Sequence, residues 1–279
     1  MTESQFDTLV NIAEGKGANS DCDNNFLESC RYVSGGKITE KGLTELEKFR
    51  VKRAVFMAAG FGSRLVPVTI NTPKPLVRVK GKRIIDGLID ACIAAGIEEI
   101  YIVRGYLGEQ FDQLLYKYPN IKFIDNPLYG EANNISSVIA AGNLVENAYI
   151  LESDLLISNP NIIRKYHYRS DVLGIDKKIC DDWCFKEKDG FVDEELEKGE
   201  NCVQMVGIYY FNEEDGKELQ KDLKEAYALP DGNKRYWETV PNQLKRGKYK
   251  IKIIKCLDGD VTEIDTFEEL KKLDDTYAK

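Results

Sequence analysis

Arg53-Ala54-Val55-Phe56-Met57-Ala58-Ala59-Gly60-Phe61-Gly62-Ser63-Arg64-Leu65 reads as a short apolar strand that runs directly into a loop of small residues. Small side chains there let backbone N–H groups come close to a chain of phosphates. A tight structural turn accounts for a lone Gly-x-Gly equally well. The stretch is not a P-loop, because no Gly-Lys-Ser/Thr follows at the required spacing. It is not the dinucleotide fingerprint either, because Arg64 and Leu65 stand where the third glycine belongs. The continuation Thr72-Pro73-Lys74-Pro75-Leu76 adds weight to the phosphate reading. A lysine between two prolines is predicted to be held in an extended segment by their restricted backbone angles. That placement suits a point charge on a phosphate.

Outward from this stretch, apolar runs alternate with helical patterns. Strands are predicted at residues 53–57, 99–104, 121–125 and 148–152, and helices at 84–95, 107–116 and 134–144. Strands separated by helices of this length indicate βαβ units, hence an α/β fold of three-layer, Rossmann-like form with a mostly parallel central sheet. Ligands on such sheets lie beyond the carboxyl ends of the strands, which draws attention to the residues after Met57 and Glu152. Further on, Asp189-Gly190 signals a hairpin whose first strand is residues 184–188. Strands are expected at 202–211, 249–256 and 261–264. Asn159-Pro160 looks like a helix cap followed by proline at the first helical position. Thr266-Phe267-Glu268-Glu269 fits a capping box, which puts a strand-to-helix junction at Asp265.

The chain has 279 residues, 43% apolar and 31% charged, enough for one large domain, or one domain plus a small appendage, with a packed core. Its net charge of −8 argues against general attraction to nucleic acid or anionic membranes. The N-terminus lacks a secretory pattern and no apolar run is long enough to span a membrane, so a cytoplasmic location is expected. The seven cysteines are odd in number, scattered and without C-x-x-C, which favours reduced thiols over a disulfide framework. With His167 the only histidine, zinc fits poorly, and Cys180 and Cys184 read as an incidental pair.

Gly60-Phe61-Gly62-Ser63-Arg64, Lys74 ten residues beyond Arg64, Pro75-Leu76 and Gly81-Lys82 together resemble the opening of sugar-nucleotide pyrophosphorylases and related nucleotidyltransferases. More narrowly, residues 51–279 resemble bacterial CTP:phosphocholine cytidylyltransferases. Asn126-Pro127-Leu128-Tyr129, Asn133-Asn134-Ile135-Ser136-Ser137, Glu152-Ser153-Asp154 and Glu263-Ile264-Asp265 carry that likeness. The resemblance implies a nucleotidyltransferase fold and transfer of CMP from CTP to phosphocholine, giving CDP-choline and pyrophosphate.

It also implies a magnesium pair, Asp154 and Asp265, although either aspartate alone could simply cap a turn. Lys74 and Arg64 join them as catalytic candidates, offsetting repulsion between acceptor anion and triphosphate. Nucleotide contacts are expected from Ala58, Ala59, Gly60, Gly62, Ser63, Asn133 and Asn134, the two asparagines being helix-cap candidates as well. No general base is required, because a phosphate monoester is already mostly ionised at neutral pH. His167 is therefore not assigned that role.

Trp183 beside Asp181 and Asp182, and Trp237 beside Tyr236, could be core residues or an aromatic and acidic seat for a cationic acceptor. A cage of Trp183 with Tyr236 or Trp237 would favour phosphocholine over phosphoethanolamine. Acceptor alternatives are phosphoethanolamine, an aminophosphonate or a sugar 1-phosphate. A non-catalytic nucleotide sensor is the alternative of another class.

Residues 1–50 are expected to form a separate appendage, with a helix at residues 5–13, an irregular polar stretch, then a short strand and helix. The end of the segment, Lys37 to Leu46, resembles the wing and last helix of a winged-helix domain. Residues 18–36 read as too few for the recognition helix and strand that such a domain needs before its wing. The segment holds six Lys or Arg against nine Asp or Glu, so a structural appendage or homodimer contact is expected rather than nucleic-acid binding.

Overall fold

In the computed structural model, which describes residues 1–278, Thr2 opens helix α1 (Glu3–Ala13) with a capping box to Gln5. Helix α2 (Asp21–Ser29) follows, its first turn held by the Ser20 hydroxyl accepting from the Asp23 N–H. Strands β1 (Val33–Ser34) and β2 (Lys37–Ile38) pair antiparallel around Gly35 and Gly36, whose φ values of 56° and 73° suit a two-residue hairpin. Helix α3 (Glu40–Leu46) completes the set.

These elements, with Arg164–Tyr168, form one of two compact units, Met1–Val51 contributing the rest. Phe6, Leu9, Ile12, Leu27, Val33, Leu46 and Tyr166 make its core. Helix α2 and strand β1 both fall within residues 18–36, which corrects the expectation of a polar irregular stretch too short for a helix and a following strand. One serine cap and the fully buried Leu27 suffice to hold a helix whose polar composition conceals it. The acidic balance of residues 1–50 still argues against a polyanion. The full chain is expected to bind duplex DNA no better than a neutral control protein in fluorescence anisotropy. Salt-sensitive, submicromolar binding would overturn this.

The second unit, Lys52–Ile163 and Arg169 onward, is built on a nine-stranded mixed sheet. Its elements in chain order begin with β3 (Arg53–Ala58), the short hairpin β4 (Arg78–Val79) and β5 (Lys82–Arg83), and helix α4 (Ile84–Ala94). Next come β6 (Glu99–Arg104), β7 (Lys122–Asp125), helix α5 (Ile135–Ala141), β8 (Ala148–Glu152) and β9 (Leu155–Ile157). The later part holds β10 (Asp171–Cys180), β11 (Cys184–Lys188), β12 (Phe191–Leu196), β13 (Gly199–Phe211) and helix α6 (Glu213–Tyr227). Strands β14 (Lys252–Lys255) and β15 (Val261–Glu263) and helix α7 (Phe267–Leu273) close it.

The sheet order is β10-β14-β12-β11-β13-β8-β3-β6-β7, with β10 also paired to β13. Strands β8, β3, β6 and β7 run parallel, as do β10 and β14. Strand β13 joins the parallel half through an antiparallel pairing with β8. The order β7-β6-β3-β8 reverses direction at β3, and a crevice opens at such a switch point beyond the carboxyl ends of β3 and β8.

Alternate residues Val55, Met57, Tyr101, Val103 and Ile150 join a core that includes Val138 of α5 and Leu219 and Leu223 of α6. Ala54, Phe56, Ile100 and Ile102, on the opposite face by the strand period, are buried as well. Helix α6 has no counterpart in the sequence expectation. Its residues are largely charged, and Gly216 interrupts the pattern because a side chain there would lie 2.7 Å from the Val145 carbonyl oxygen. The stretch expected as a helix over 107–116 is 3-10 helix at Gly108–Tyr116. Asn159 caps a single 3-10 turn. Among the described residues no helix is long and apolar enough to cross a membrane.

Candidate active site

Strand β3 delivers the chain into Ala59-Gly60-Phe61-Gly62, and Gly62 turns it with φ 68° and ψ 46°. Glycine is needed at 62 for space as well as for angle. A Cβ there would lie 3.1 Å from Lys74 Cβ and 3.3 Å from Thr69 Cγ2. The Thr69 hydroxyl donates to the Gly62 carbonyl at 2.9 Å and braces the turn. Gly60, by contrast, borders open space.

Pro73 is extended, but Lys74–Leu76 forms a 3-10 turn, which replaces the expected extended path through Lys74. The turn aims Lys74 inward. Its Nζ donates to Asp154 Oδ2 at 2.5 Å and to Asp265 Oδ1 at 3.0 Å. Burial works against the Lys74 charge, but the two carboxylates outweigh it and hold its pKa above the ordinary value. Asp265 is likewise desolvated, yet Lys74 and Arg64 keep its pKa below the usual carboxylate value. Arg64 reaches Asp265 Oδ2 at 2.8 Å from an exposed position.

Asp154 follows β8, and Asp265 sits at the start of the turn into α7, where its N–H donates to Glu269 Oε2 at 2.8 Å. The capping box between Thr266 and Glu269 forms as expected. Thus a lysine, an arginine and two aspartates, far apart in sequence, meet beyond the strand ends.

Two clefts of about 340 and 330 Å³ adjoin at this cluster and share Arg64, Asn134, Glu152, Asp154 and Tyr236. The first is lined by Ala58, Ala59, Gly60, Gly62, Lys74, Asn133 and Asn134 among others. Ser63 is outside either lining. Asn134 stands at the cap of α5 but makes no side-chain cap bond. Its Oδ1 accepts from the Trp237 N–H at 2.8 Å, and its Nδ2 donates to Glu238 Oε2 at 3.2 Å. Asn133 Nδ2 donates to the Lys234 carbonyl at 3.1 Å. Both amides therefore tie the head of α5 to residues 234–238. Asn126, 2% exposed, holds the first turn of α5 by donating to the Ser136 and Ser137 hydroxyls.

The second cleft is lined by Asp182, Trp183, Glu195, Tyr236, Glu238 and Glu263 together with the shared residues. Trp183 and Tyr236 stand with ring centroids 5.9 Å apart. Trp237 does not join them. It is 1% exposed and packs edge-on against Tyr209 at 4.9 Å and Phe211 at 6.0 Å, so it is a core residue. Asp182 accepts from the Trp183 N–H at 2.7 Å. Asp181 is exposed and outside either lining.

Glu195 and Glu238 were not legible as site residues in the sequence. Each is 5% exposed. Glu195 Oε2 is buried without a hydrogen-bond partner. Burial pushes this carboxyl up to about 7, with Glu238 adding to the rise and the nearby Asn242 amide opposing it. Burial also raises Glu238. The alternation around Glu195, Val192 to Leu196, resembles any strand, so only the packing of β12 against the 240–244 turn reveals it. His167 belongs to the first unit, buried, with Nδ1 3.2 Å from Arg164 Nη2.

With this geometry in view, the chain matches the nucleotidyl transferase family over residues 53–173. It is 35% identical over 231 residues to a 2-aminoethylphosphonate cytidylyltransferase of Lancefieldella rimae, covering 81% of this chain and 93% of that one. A choline-phosphate cytidylyltransferase of Streptococcus pneumoniae is 28% identical over 227 residues, covering 80% and 97%. The solved structure of CTP:phosphocholine cytidylyltransferase from Streptococcus pneumoniae superposes with a TM-score of 0.74 at 26% identity, covering 81% of this chain and 99% of that one. Sequence, fold and relatives agree: the chain belongs to the nucleotidyl transferase family.

Proposed function

We propose that the protein transfers CMP from CTP to a small acceptor with a phosphonate or phosphate at one end and a primary ammonium at the other. 2-Aminoethylphosphonate ranks ahead of phosphocholine. The observation that carries this reading is the pair of clefts meeting at Asp154 and Arg64, one edged by the glycine loop and the other by buried carboxylates. Triphosphate fits the first and a cationic acceptor the second. The cytidine base and the aminophosphonate come from the names of the relatives.

The residues also fit a divalent cation. Asp154 Oδ1 is buried without a partner, and carboxylate oxygens of Asp154, Glu263 and Asp265 lie within 4.8 Å of one another. Hard oxygen donors of this kind suit Mg²⁺, with Asp154 and Asp265 as its holders. When bound, the cation supplies positive charge against the phosphates. An acceptor oxygen attacks the α-phosphorus of CTP in line, a P–O bond forms, and the bond to the bridging oxygen breaks with release of pyrophosphate. Lys74 and Arg64 offset the repulsion between the two anions, and the glycine loop offers backbone N–H groups to the triphosphate.

Acceptor choice follows from the second cleft. With Trp237 in the core, Trp183 and Tyr236 remain as the two-ring form of the expected aromatic seat, and Glu195 in the same lining holds a buried oxygen without a hydrogen-bond partner. A primary ammonium can donate to such oxygens, whereas a trimethylammonium cannot. Each buried polar group left unpaired costs about 1–3 kcal/mol. A preference for 2-aminoethylphosphonate over phosphocholine of at least about tenfold in kcat/KM is expected, the reverse of the cage expectation. Glu195→Gln should reduce that preference and leave the CTP KM unchanged. Pyrophosphate release measured with both acceptors tests this, and equal rates or a phosphocholine preference would overturn the acceptor assignment. CTP binding without pyrophosphate release from any acceptor would favour the nucleotide-sensor alternative.

A further inference from the structure

Strand β10 ends at Cys180, β11 begins at Cys184, and β13 carries Cys202. The fold brings Cys180 and Cys184, an incidental pair by sequence alone, together with Cys202. The three sulfurs lie within 4.8 Å of one another, and the residues are 5, 0 and 4% exposed. Leu196 packs against them. A Cβ on Gly199 would lie 2.9 Å from Cys184 Sγ and 3.1 Å from Cys202 Sγ, so bare backbone closes the cluster on that side. The Cys180 thiol donates to the Asp182 carbonyl at 3.2 Å.

We propose that Cys180, Cys184 and Cys202 form a binding site for one soft, thiophilic cation, with monovalent copper the species that three sulfur donors suit best. Thiolates select soft ions, and structural zinc takes four ligands. Among the described residues no fourth Cys, His or carboxylate joins this group. With metal–sulfur bonds of about 2.3 Å, three sulfurs around one ion stand about 4 Å apart. The present cluster therefore needs to contract by no more than about 1 Å. Packing alone would be met as well by valine or alanine, and it gives no reason for three cysteines in one closed cluster.

The site has a direct route to the acceptor cleft. Only Asp181, Asp182 and Trp183 separate Cys180 from Cys184, and two of those three line that cleft. A cation bound to both cysteines clamps the two ends of this loop. Binding displaces thiol protons, so affinity rises with pH.

The test uses the reduced full chain under anaerobic conditions, with Cu(I) added in competition with a Cu(I) chelator. One copper per chain is expected to be retained, with an X-ray absorption shell of three sulfurs. Cys184→Ser and Cys202→Ser should each weaken retention by at least about 100-fold, a loss beyond the usual effect of an outer-sphere change. Cys22→Ser, at an exposed residue, should leave it unchanged. Where a serine variant does not fold, the wild-type copper stoichiometry and absorption shell still decide the matter. Retention no better than in a Cys180→Ser chain, a shell with nitrogen or oxygen donors, or equal loss in Cys22→Ser would overturn the proposal. The readout is bound metal, so its failure is distinct from a failure of the cytidylyltransferase reading.

Discussion

Asp154→Asn and Asp265→Asn are each expected to lower the rate of pyrophosphate release by about 10²-fold or more, as loss of charge stabilisation at the phosphates implies. The fold should survive both. Lys74 donates to both carboxylates, so either variant leaves it one ionic partner. Asparagine also matches aspartate in shape, which limits the packing cost. Asp265 has a second task, since its N–H and that of Thr266 both donate to Glu269 at the head of α7, but these are backbone bonds that the substitution preserves. Initial rates at saturating Mg²⁺, paired with thermal unfolding, check the outcome. Near-normal turnover in a folded variant would remove that aspartate from the metal-holding pair.

Lys74→Ala should act on activity and on stability together. Turnover is expected to fall by about two to three orders of magnitude, because the proposed mechanism assigns this charge to the phosphates. The same change leaves Asp154 and Asp265 facing each other without the ammonium that joins them. Breaking a fully buried pair costs about 3–5 kcal/mol, and the cost here should be smaller because the carboxylate side chains are 18 and 20% exposed. Added Mg²⁺ should recover part of the lost melting temperature, since a cation between the carboxylates relieves their repulsion, but should not recover turnover. Lys74→Arg should rescue poorly, because a planar fork does not replace a compact ammonium held between Asp154 Oδ2 and Asp265 Oδ1. Wild-type kinetics in Lys74→Ala would contradict the phosphate role of this residue.

Much of the parallel half of the sheet was legible from residue order. Strands β6 and β8 fall at the expected residues and β3 extends by one, and outside that half the antiparallel β11 also falls where expected. The capping box at Thr266 also appears, as does the hairpin turn, with φ 56° at Asp189 and 84° at Gly190. These signals are local: a strand period, a cap or a turn glycine acts within a few residues. Helix α6 was missed because its apolar stripe is narrow and broken by Gly216, and its stability comes from packing on α5 and the 142–145 turn.

By itself the sequence determined the α/β class, the strand ends that face a ligand, and Lys74, Asp154 and Asp265 as separate candidates. Tertiary structure alone decided which of them touch, that Trp237 is core while Tyr236 edges the cleft, and that Glu195, Glu238 and Cys202 meet residues remote in sequence. The physical reason is range. Backbone preferences are set by near neighbours, whereas the burial of a polar or aromatic side chain depends on which distant segments pack over it.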